Sequence, residues 1–295
     1  MPTRLRPEPS YLIGLIGDGV VGSLSPALHE REAARLGLRY VYKPVDLAAS
    51  GLSAADLPTL LTQALALGFD GFNVTYPYKQ AILPHLEAID EQSRRIGAVN
   101  VLIRGSAGWI GCNTDVTGFR SALARTVGDG VAGPVVQLGA GGAGSATAHA
   151  VLDLGADRLL VCDTDAAQAT ALVGRLAPYF PGAELRAIDG AQLRDAVTTA
   201  YGVVNATPVG MDHSPGLPFD VTELPSGAWV ADVVYRPAET ALVRLARARG
   251  HRVVDGGQMV VEQAADGMRI FADASPDRDR MRDHFLQLTA ATRTQ

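Results

Sequence analysis

The sequence reads as an α/β protein of two domains, the second of them doubly wound. Three observations predict this. Short apolar runs alternate with segments of helical period along almost all of the 295 residues, the pattern of layered sheets and helices. A Gly/Pro-rich stretch, 127–134, interrupts the alternation and reads as a linker. Directly after it, Gly139-Ala-Gly-Gly-Ala-Gly144 stands between an apolar run and an alanine-rich helical segment.

The elements follow in order. The first ten residues, with Arg4, Arg6 and three prolines, read as an irregular tail. Residues 11–17 are a short apolar run ending in glycine, as in a buried strand. Helical spacing covers 26–36 and alternation covers 40–47. Leu57, Leu60, Leu61 and Leu65 form the stripe of a helix over 53–67. A strand at 71–75 leads to helical segments at 78–86 and 90–96. Residues 99–104 and 109–112 form a hairpin across Gly105 to Gly108, and a helix spans 117–125. Beyond the linker come a strand at 135–139, a helix at 144–154, a strand at 158–163 and a helix at 166–176. Short strands near 184–188, 202–205 and 229–234 precede a helix at 240–249 and a strand at 252–255. Two helices, 259–271 and 277–288, close the chain. A βαβ series of this kind implies a parallel sheet with right-handed crossovers.

Composition narrows the function classes. The net charge is −5, without a block of like charge, so the basic face of a general nucleic-acid binder is missing. An anionic small substrate stays open, because local donors decide its binding. Cys112 and Cys162 are the only cysteines and read as buried thiols rather than a disulfide framework. The run 11–21 is broken by three glycines and Asp18, unlike a secretory segment. No run reaches the ~18 apolar residues of a membrane span. A cytoplasmic monomer or homodimer is the expectation. The six histidines show no metal-ligand spacing, so no metal is expected, and His29 reads as structural.

Gly139, Gly141 and Gly144 match G-x-G-x-x-G, with Gly142 and Ala143 between them, in a strand–turn–helix setting. Glycine allows the tight turn and lets a pyrophosphate approach the backbone at a helix N-terminus. A Rossmann-like dinucleotide domain follows. Asp163 ends the next strand, 24 residues past Gly139, close to the ~20 expected of a ribose-binding acid. Its carboxylate accepts ribose hydroxyls and repels a 2′-phosphate. The segment after it, Thr-Asp-Ala-Ala-Gln, holds no arginine. NAD is favoured over NADP. Alternatively, Asp163 or Asp165 caps the helix that starts near 166.

Two polar stretches lie upstream, Asn73-Val-Thr-Tyr-Pro-Tyr-Lys79 and Gly111-Cys-Asn-Thr-Asp-Val-Thr-Gly118. They offer Lys79 and Asp115 for moving a proton. Oxidising an alcohol releases a hydride and a proton, and the proton needs an acceptor with a tuned pKa. Lys79 and Lys43 are the only lysines in a chain that otherwise uses arginine, and Lys79 stands at a helix start, a poor place for an idle cation. The alternative for Asp115 is an N-cap on the helix from 117. Ser25-Pro26 reads as an N-cap followed by proline at N1. A dinucleotide site with a proton-transfer pair indicates hydride chemistry on a small polar molecule.

Seven motifs, in order, resemble the shikimate/quinate dehydrogenase family: Gly22-Ser-Leu-Ser-Pro-Ala-Leu-His29, the Asn73–Lys79 stretch, Gly97-Ala-Val-Asn100, Asn113-Thr-Asp115, the glycine loop, Asn205-Ala-Thr-Pro-Val-Gly-Met211 and Met259-Val-Val-Glu-Gln263. The resemblance spans nearly the whole chain. It implies a catalytic dyad in which Lys79 handles the proton and Asp115 holds Lys79 and a neighbouring hydroxyl. It assigns Ser23 and Ser25 to the substrate carboxylate and Thr75 and Asn100 to ring hydroxyls. Gln263 and Tyr235 join the substrate, while Thr207, Val209 and Met259 line the nicotinamide. It implies a substrate domain at 1–116, to which 258–295 return, and an NAD domain at 117–257. The substrate is then a cyclohexene or cyclohexane carboxylate, in aromatic amino acid biosynthesis or quinate metabolism. NADP-dependent biosynthetic members carry Asn-Arg-Thr or a similar basic segment where this chain has Asp163-Thr164-Asp165, so it resembles the NAD-using branch of actinobacterial type. That branch often has threonine at the second serine position, whereas Ser25 matches shikimate-preferring members. Shikimate and quinate both stay open. So do an aminoshikimate or other cyclitol-acid dehydrogenase and a non-catalytic sensor of the acid and NAD. The paired serines argue against a folate-type dehydrogenase.

Overall fold

A computed structural model describes residues 9–128, 130, 131 and 133–292. The expected tail therefore lies largely outside the described residues, as do Asp129 and Ala132 of the linker. The chain divides into two units. One comprises residues up to Asp90, Val99–Cys112 and Ala264–Leu288; the other comprises Glu91–Ala98, Asn113–Gln263 and the residues from Thr289 on.

The first stretch of chain supplies β1 (Ser10–Gly17), α1 (Ser25–Arg35), β2 (Arg39–Asp46), α2 (Leu57–Ala66), β3 (Gly71–Val74), α3 (Tyr78–Ala81) and β4 (Ala88–Ile89). After α4 (Glu91–Ile96), which belongs to the second unit, β5 (Val101–Arg104) and β6 (Trp109–Cys112) complete a six-stranded sheet. Its order is β2-β1-β3-β5-β6-β4. β1 runs parallel to β2 and β3, whereas β5 is antiparallel to both β3 and β6. From Ile13 on, β1 is buried on both faces, as the apolar part of a central strand should be. Ile13 and Leu15 pack with Tyr42, Val101 and Phe271, and Ile16 packs with Leu57, Leu61, Phe72 and Trp109. Gly14 lies against the Phe72 ring, where a Cβ would stand 2.3 Å from its carbons.

Two expected helices are shorter than their periodicity. The segment 78–86 stops being α-helical at Ala81 and continues as a 3-10 turn over Leu83–His85. Pro84 has no N–H to give and crowds the preceding turn. The segment 53–67 opens as a 3-10 turn, Ala54–Asp56, under a capping box of Ser53 and Asp56. The short strand β4 was not anticipated.

The second unit contains α5 (Thr114–Val127), β7 (Pro134–Leu138), α6 (Gly142–Asp153), β8 (Arg158–Cys162), α7 (Ala166–Leu176), β9 (Glu184–Ile188), α8 (Gly190–Val197), β10 (Gly202–Asn205), β11 (Trp229–Asp232), α9 (Ala241–Ala248) and β12 (Arg252–Val254). α10 (Gly256–Ala272) begins in this unit and ends in the first, and most of α11 (Arg278–Thr292) belongs to the first. The sheet is wholly parallel, in the order β12-β11-β10-β7-β8-β9. The chain winds outward from β7 through β8 and β9, then returns to wind the other way through β10, β11 and β12. This is the doubly wound Rossmann order, and its switch point lies between β7 and β10. The strands are buried on both faces: Val135, Leu159 and Val204 pack with α5, α6 and α7, and Val136, Leu160 and Val203 pack with α8 and α9. The helix α8 was not expected from the sequence, although Asp189 and Gln192 form its capping box. Among the described residues, no helix is long and apolar enough to cross a membrane.

Candidate active site

In the first unit the expected substrate residues gather at one end of the sheet. Thr75 follows β3, and its N–H donates to the Ile16 carbonyl of β1 over 2.8 Å. Gly17 makes the crossing possible, because a Cβ there would stand 2.4 Å from the Thr75 methyl. The Thr75 carbonyl accepts the Tyr78 N–H and starts α3, and the Lys79 carbonyl accepts the Val99 N–H at 3.0 Å. Lys79 is half-buried. Asn100, 3 % exposed, is held at its backbone: its N–H donates to Cys112, and its carbonyl accepts the Val74 N–H and the Asn73 amide. Asn73 in turn accepts the Tyr42 hydroxyl over 2.8 Å. Sequence reasoning gave neither Asn73 nor Tyr42 a part. The chain Tyr42–Asn73–Asn100 continues beside His29, whose ring lies 4.6 Å from that of Tyr42 and whose Nδ1 pairs with the Tyr40 hydroxyl.

Ser23 and Ser25 lie in the turn between β1 and α1. Ser25 is the first residue of the helix rather than its cap, and Pro26 follows it. The capping role falls instead to Ser23, whose Oγ accepts the Ser25 N–H at 3.2 Å. Leu24 separates them and supplies no side-chain cap. Asp46 holds the start of this turn, accepting the N–H groups of Val21 and Ala49. Backbone donors, that of Ala49 foremost, keep its carboxyl below the usual range.

In the second unit α5 starts at Thr114, three residues earlier than expected, because Asn113 is its cap. The Asn113 side chain accepts the N–H groups of Asp115 and Val116 at 2.9 and 3.2 Å. Asp115 is therefore in the first turn, buried to 5 % exposure, and is not the cap. Gly118, one turn on, permits close packing of α10: a Cβ there would stand 2.8 Å from the Gln263 nitrogen. An ion pair between Arg125 and the buried Glu262 joins the same two helices. The fold thus places Gln263 against Gly118, one turn after Asp115 on the same helix. The Gln263 amide donates to the Val260 carbonyl of its own helix. Tyr235 follows β11 half-buried, and burial pushes its phenol up from the ordinary value.

The glycine loop occupies the switch point. Gly139 has φ 100°, open to glycine alone without strain, and a Cβ there would meet the Ala206 carbonyl beyond β10 at 2.6 Å. Gly144 lies so close to Gly139 that a Cβ would stand 2.2 Å from its oxygen. Gly141 is the N-cap of α6 without a side-chain cap, and the space above its Cα is open. Gly142 and Ala143, half-buried, complete the first turn. Such a bare helix start with an open glycine face fits a pyrophosphate. Asp163 accepts the Ala140 N–H at 2.7 Å and the Asp165 N–H at 2.9 Å. Asp165, not Asp163, caps α7.

Three buried polar residues brace this site, and the sequence reading gave none of them a role, although Asn205 opens one of the quoted motifs. Gln137, within β7, donates to the carbonyls of Gly139 and Gly144 and accepts the Thr147 hydroxyl. Asn205 accepts the Thr207 hydroxyl at 2.6 Å and donates to the Val209 carbonyl and to Asp232. Asp232 also accepts the Thr240 hydroxyl; burial raises its pKa, and these bonds oppose the shift. Thr207 is thereby held beside Gly139, with Val209 bonded to the Thr207 hydroxyl through its N–H. Met259 is buried in the same hydrophobic cluster as Ala140, with Ala206 packed against it. The only hint in the sequence was polarity inside apolar strands.

Comparison with known proteins agrees with this architecture. The model of the shikimate dehydrogenase substrate binding domain matches residues 15–102. The chain is 50 % identical over 282 residues to shikimate dehydrogenase (NADP(+)) of Arthrobacter sp. (strain FB24), covering 96 % of each chain. It is 43 % identical over 280 residues to quinate/shikimate dehydrogenase (NAD(+)) of Corynebacterium glutamicum, covering 95 % of this chain and 99 % of that one. Its fold matches quinate dehydrogenase from Corynebacterium glutamicum in complex with NAD at a TM-score of 0.86, 43 % identity and coverage of 94 % and 99 %. With the doubly wound sheet, the glycine loop at its switch point and relatives aligned over nearly their full lengths, the chain belongs to the shikimate/quinate dehydrogenase family, pyridine-nucleotide oxidoreductases acting on CH–OH groups.

Proposed function

We propose that the protein is an NAD-dependent dehydrogenase that reversibly oxidises a ring hydroxyl of shikimate or quinate to the 3-dehydro acid. The observation that carries the nucleotide preference is Asp163, at the end of β8, bonded to the N–H of Ala140 in the glycine loop. It puts a carboxylate beside the phosphate turn, followed by Thr164 and Asp165 rather than by arginine. A 2′-phosphate would meet negative charge there without a cation to answer it. The relatives named for NADP and for NAD leave the choice to this local chemistry.

The bound nucleotide supplies a hydride acceptor. The chain supplies everything else. Ser23 and Ser25 hold the acid's carboxylate with hydroxyl donors. Thr75 and Asn100 fix the ring hydroxyls; the backbone bonds around Asn100 fix the point from which its side chain reaches before the substrate arrives. Lys79 takes the hydroxyl proton, and Asp115 orients that amine and binds the neighbouring hydroxyl. Gln263 and Tyr235 complete the substrate contacts; Thr207, Val209 and Met259 line the nicotinamide. In this reading residues 1–116 and 258–295 serve the substrate and 117–257 serve the nucleotide.

The test is steady-state kcat/KM for shikimate, quinate and an amino analogue, each with NAD and NADP, followed by formation of reduced nucleotide. Turnover of shikimate or quinate with preference for NAD is expected. Turnover confined to the amino analogue would make the protein an aminoshikimate-type enzyme, and none at all would leave a sensor. Lys79→Ala should lower kcat by ~10²–10⁴-fold; unchanged turnover would remove Lys79 from the chemistry.

A further inference from the structure

One half-buried pair links two parts of the first unit's site and has no role in the reading above. The Tyr78 hydroxyl donates to Asp18 Oδ1 over 2.7 Å. Tyr78 is 4 % exposed and immediately precedes Lys79 on α3. Asp18 opens the turn that runs to Ser23 and Ser25. The same Oδ1 accepts the Ala48 N–H at 3.2 Å, and the Asp18 N–H donates to the Tyr76 carbonyl at 3.1 Å. The ring of Tyr78 packs with Val74, Ile82 and Val99, a task that phenylalanine performs equally well. The hydroxyl adds only the bond to Asp18, and a hydrogen bond from O–H to a carboxylate is of the strong kind.

We propose that Tyr78 and Asp18 are a positioning pair, locking the helix that carries Lys79 to the turn that carries Ser23 and Ser25. The proposal rests on the dehydrogenase reading, in which the serines hold the carboxylate and Lys79 takes the proton. A rigid ring acid held by its carboxylate presents its hydroxyl at a set distance from the serines. The amine must therefore stand at a set distance from them too. Displacement by about 1 Å can cost on the order of 10²-fold in rate, so partial loosening should cost less.

The first arm of the test is kinetic. Tyr78→Phe should lower kcat about tenfold and leave the KM for NAD within about twofold. In a Lys79→Ala background it should cost nothing more, because it acts through the amine. Ser53→Ala, which uncaps a 3-10 turn elsewhere in the same unit, should lower the melting temperature and leave kcat alone. Wild-type kcat in Tyr78→Phe overturns the proposal. So does an equal loss in the Lys79→Ala background, or in Ser53→Ala. The second arm needs no turnover. The chain has two lysines, Lys43 and Lys79, whose amines give separate NMR signals after isotope-labelled reductive methylation. Tyr78→Phe should shift the Lys79 signal and leave the Lys43 signal in place. An unmoved Lys79 signal overturns the pairing, whether or not the protein turns over either acid. Absence of wild-type turnover overturns the dehydrogenase reading instead.

Discussion

Asp163 does two things with one carboxylate. It accepts the Ala140 N–H of the glycine loop and, in the proposed reading, it sets the charge beside the ribose. Alanine would remove both functions, but asparagine separates them, keeping an acceptor oxygen while losing the charge. Asp163→Asn should shift the ratio of kcat/KM for NAD over NADP toward NADP by about tenfold, or ~1.4 kcal/mol. Steady-state kinetics with both nucleotides would show it, and an unchanged ratio would place the discrimination elsewhere. His29 acts on stability. It is wholly buried, and burial lowers its pKa from 6.5 to about 3. Between those values the unfolded chain binds a proton that the folded protein refuses, so stability is full above the unfolded pKa and falls as acid is added. The loss should reach on the order of 2 kcal/mol by about pH 5. Urea unfolding at about pH 7.5 and about pH 5 measures it, and His29→Phe should flatten the difference. A difference that survives in His29→Phe would assign it to His149 and His284, which burial also depresses. The loop glycines were legible in the sequence because their spacing is unusual where they stand, and Gly139 and Gly144 leave no room for a Cβ. Gln137, Asn205 and Asp232 were not. Each is a lone polar residue in an apolar strand, and its meaning lies in partners such as Asp232, 27 residues from Asn205.

The elements were legible where local patterning decides them. Most strands and helices of the second unit follow their apolar periods, whereas α8 was missed although Asp189 and Gln192 spell out its capping box. Boundaries were harder, because capping is a contest between neighbours. Asn113, not Asp115, won the start of α5. The β7–α6 unit depends on one contact between glycines. With Gly144 only a Cβ away from the Gly139 oxygen, Gly144→Ala must push the helix start from the strand end. Overpacking of this kind costs about 1–3 kcal/mol, and here the displacement falls on the phosphate turn itself. Calorimetric titration of the variant should show NAD affinity reduced at least about tenfold, the equivalent of ~1.4 kcal/mol. Wild-type affinity would mean that the turn relaxes without losing its donors.

At the scale of the molecule, the fold class was legible because alternation of strand and helix periods leaves few topologies. The order of the first sheet was not: β4, two residues long, pairs beyond β6 at the sheet edge, and no local signal specifies a pairing of that kind. The return of the C-terminal helices is likewise a matter of long-range chemistry. Glu32 of α1 is 2 % exposed. Its carboxylate accepts Arg280 Nε at 2.8 Å, Arg280 Nη2 at 2.5 Å and the Asp277 N–H at 2.8 Å, so the start of α11 is pinned to α1, 245 residues earlier in the chain. Removing one partner of a buried pair strands the other, at a cost of about 3–5 kcal/mol when both are buried. Arg280 is partly open to solvent and the Asp277 N–H would remain, so Arg280→Ala should cost less, about 2 kcal/mol. The damage should stay within the first unit. Hydrogen exchange should quicken in α1 and α11, while β7 to β12 keep their protection and NAD binds with wild-type affinity, because the second sheet and its glycine loop draw none of their bonds from this pair. Exchange quickening equally in both sheets would mean that the units unfold together, and the latch would then count toward the stability of the whole chain.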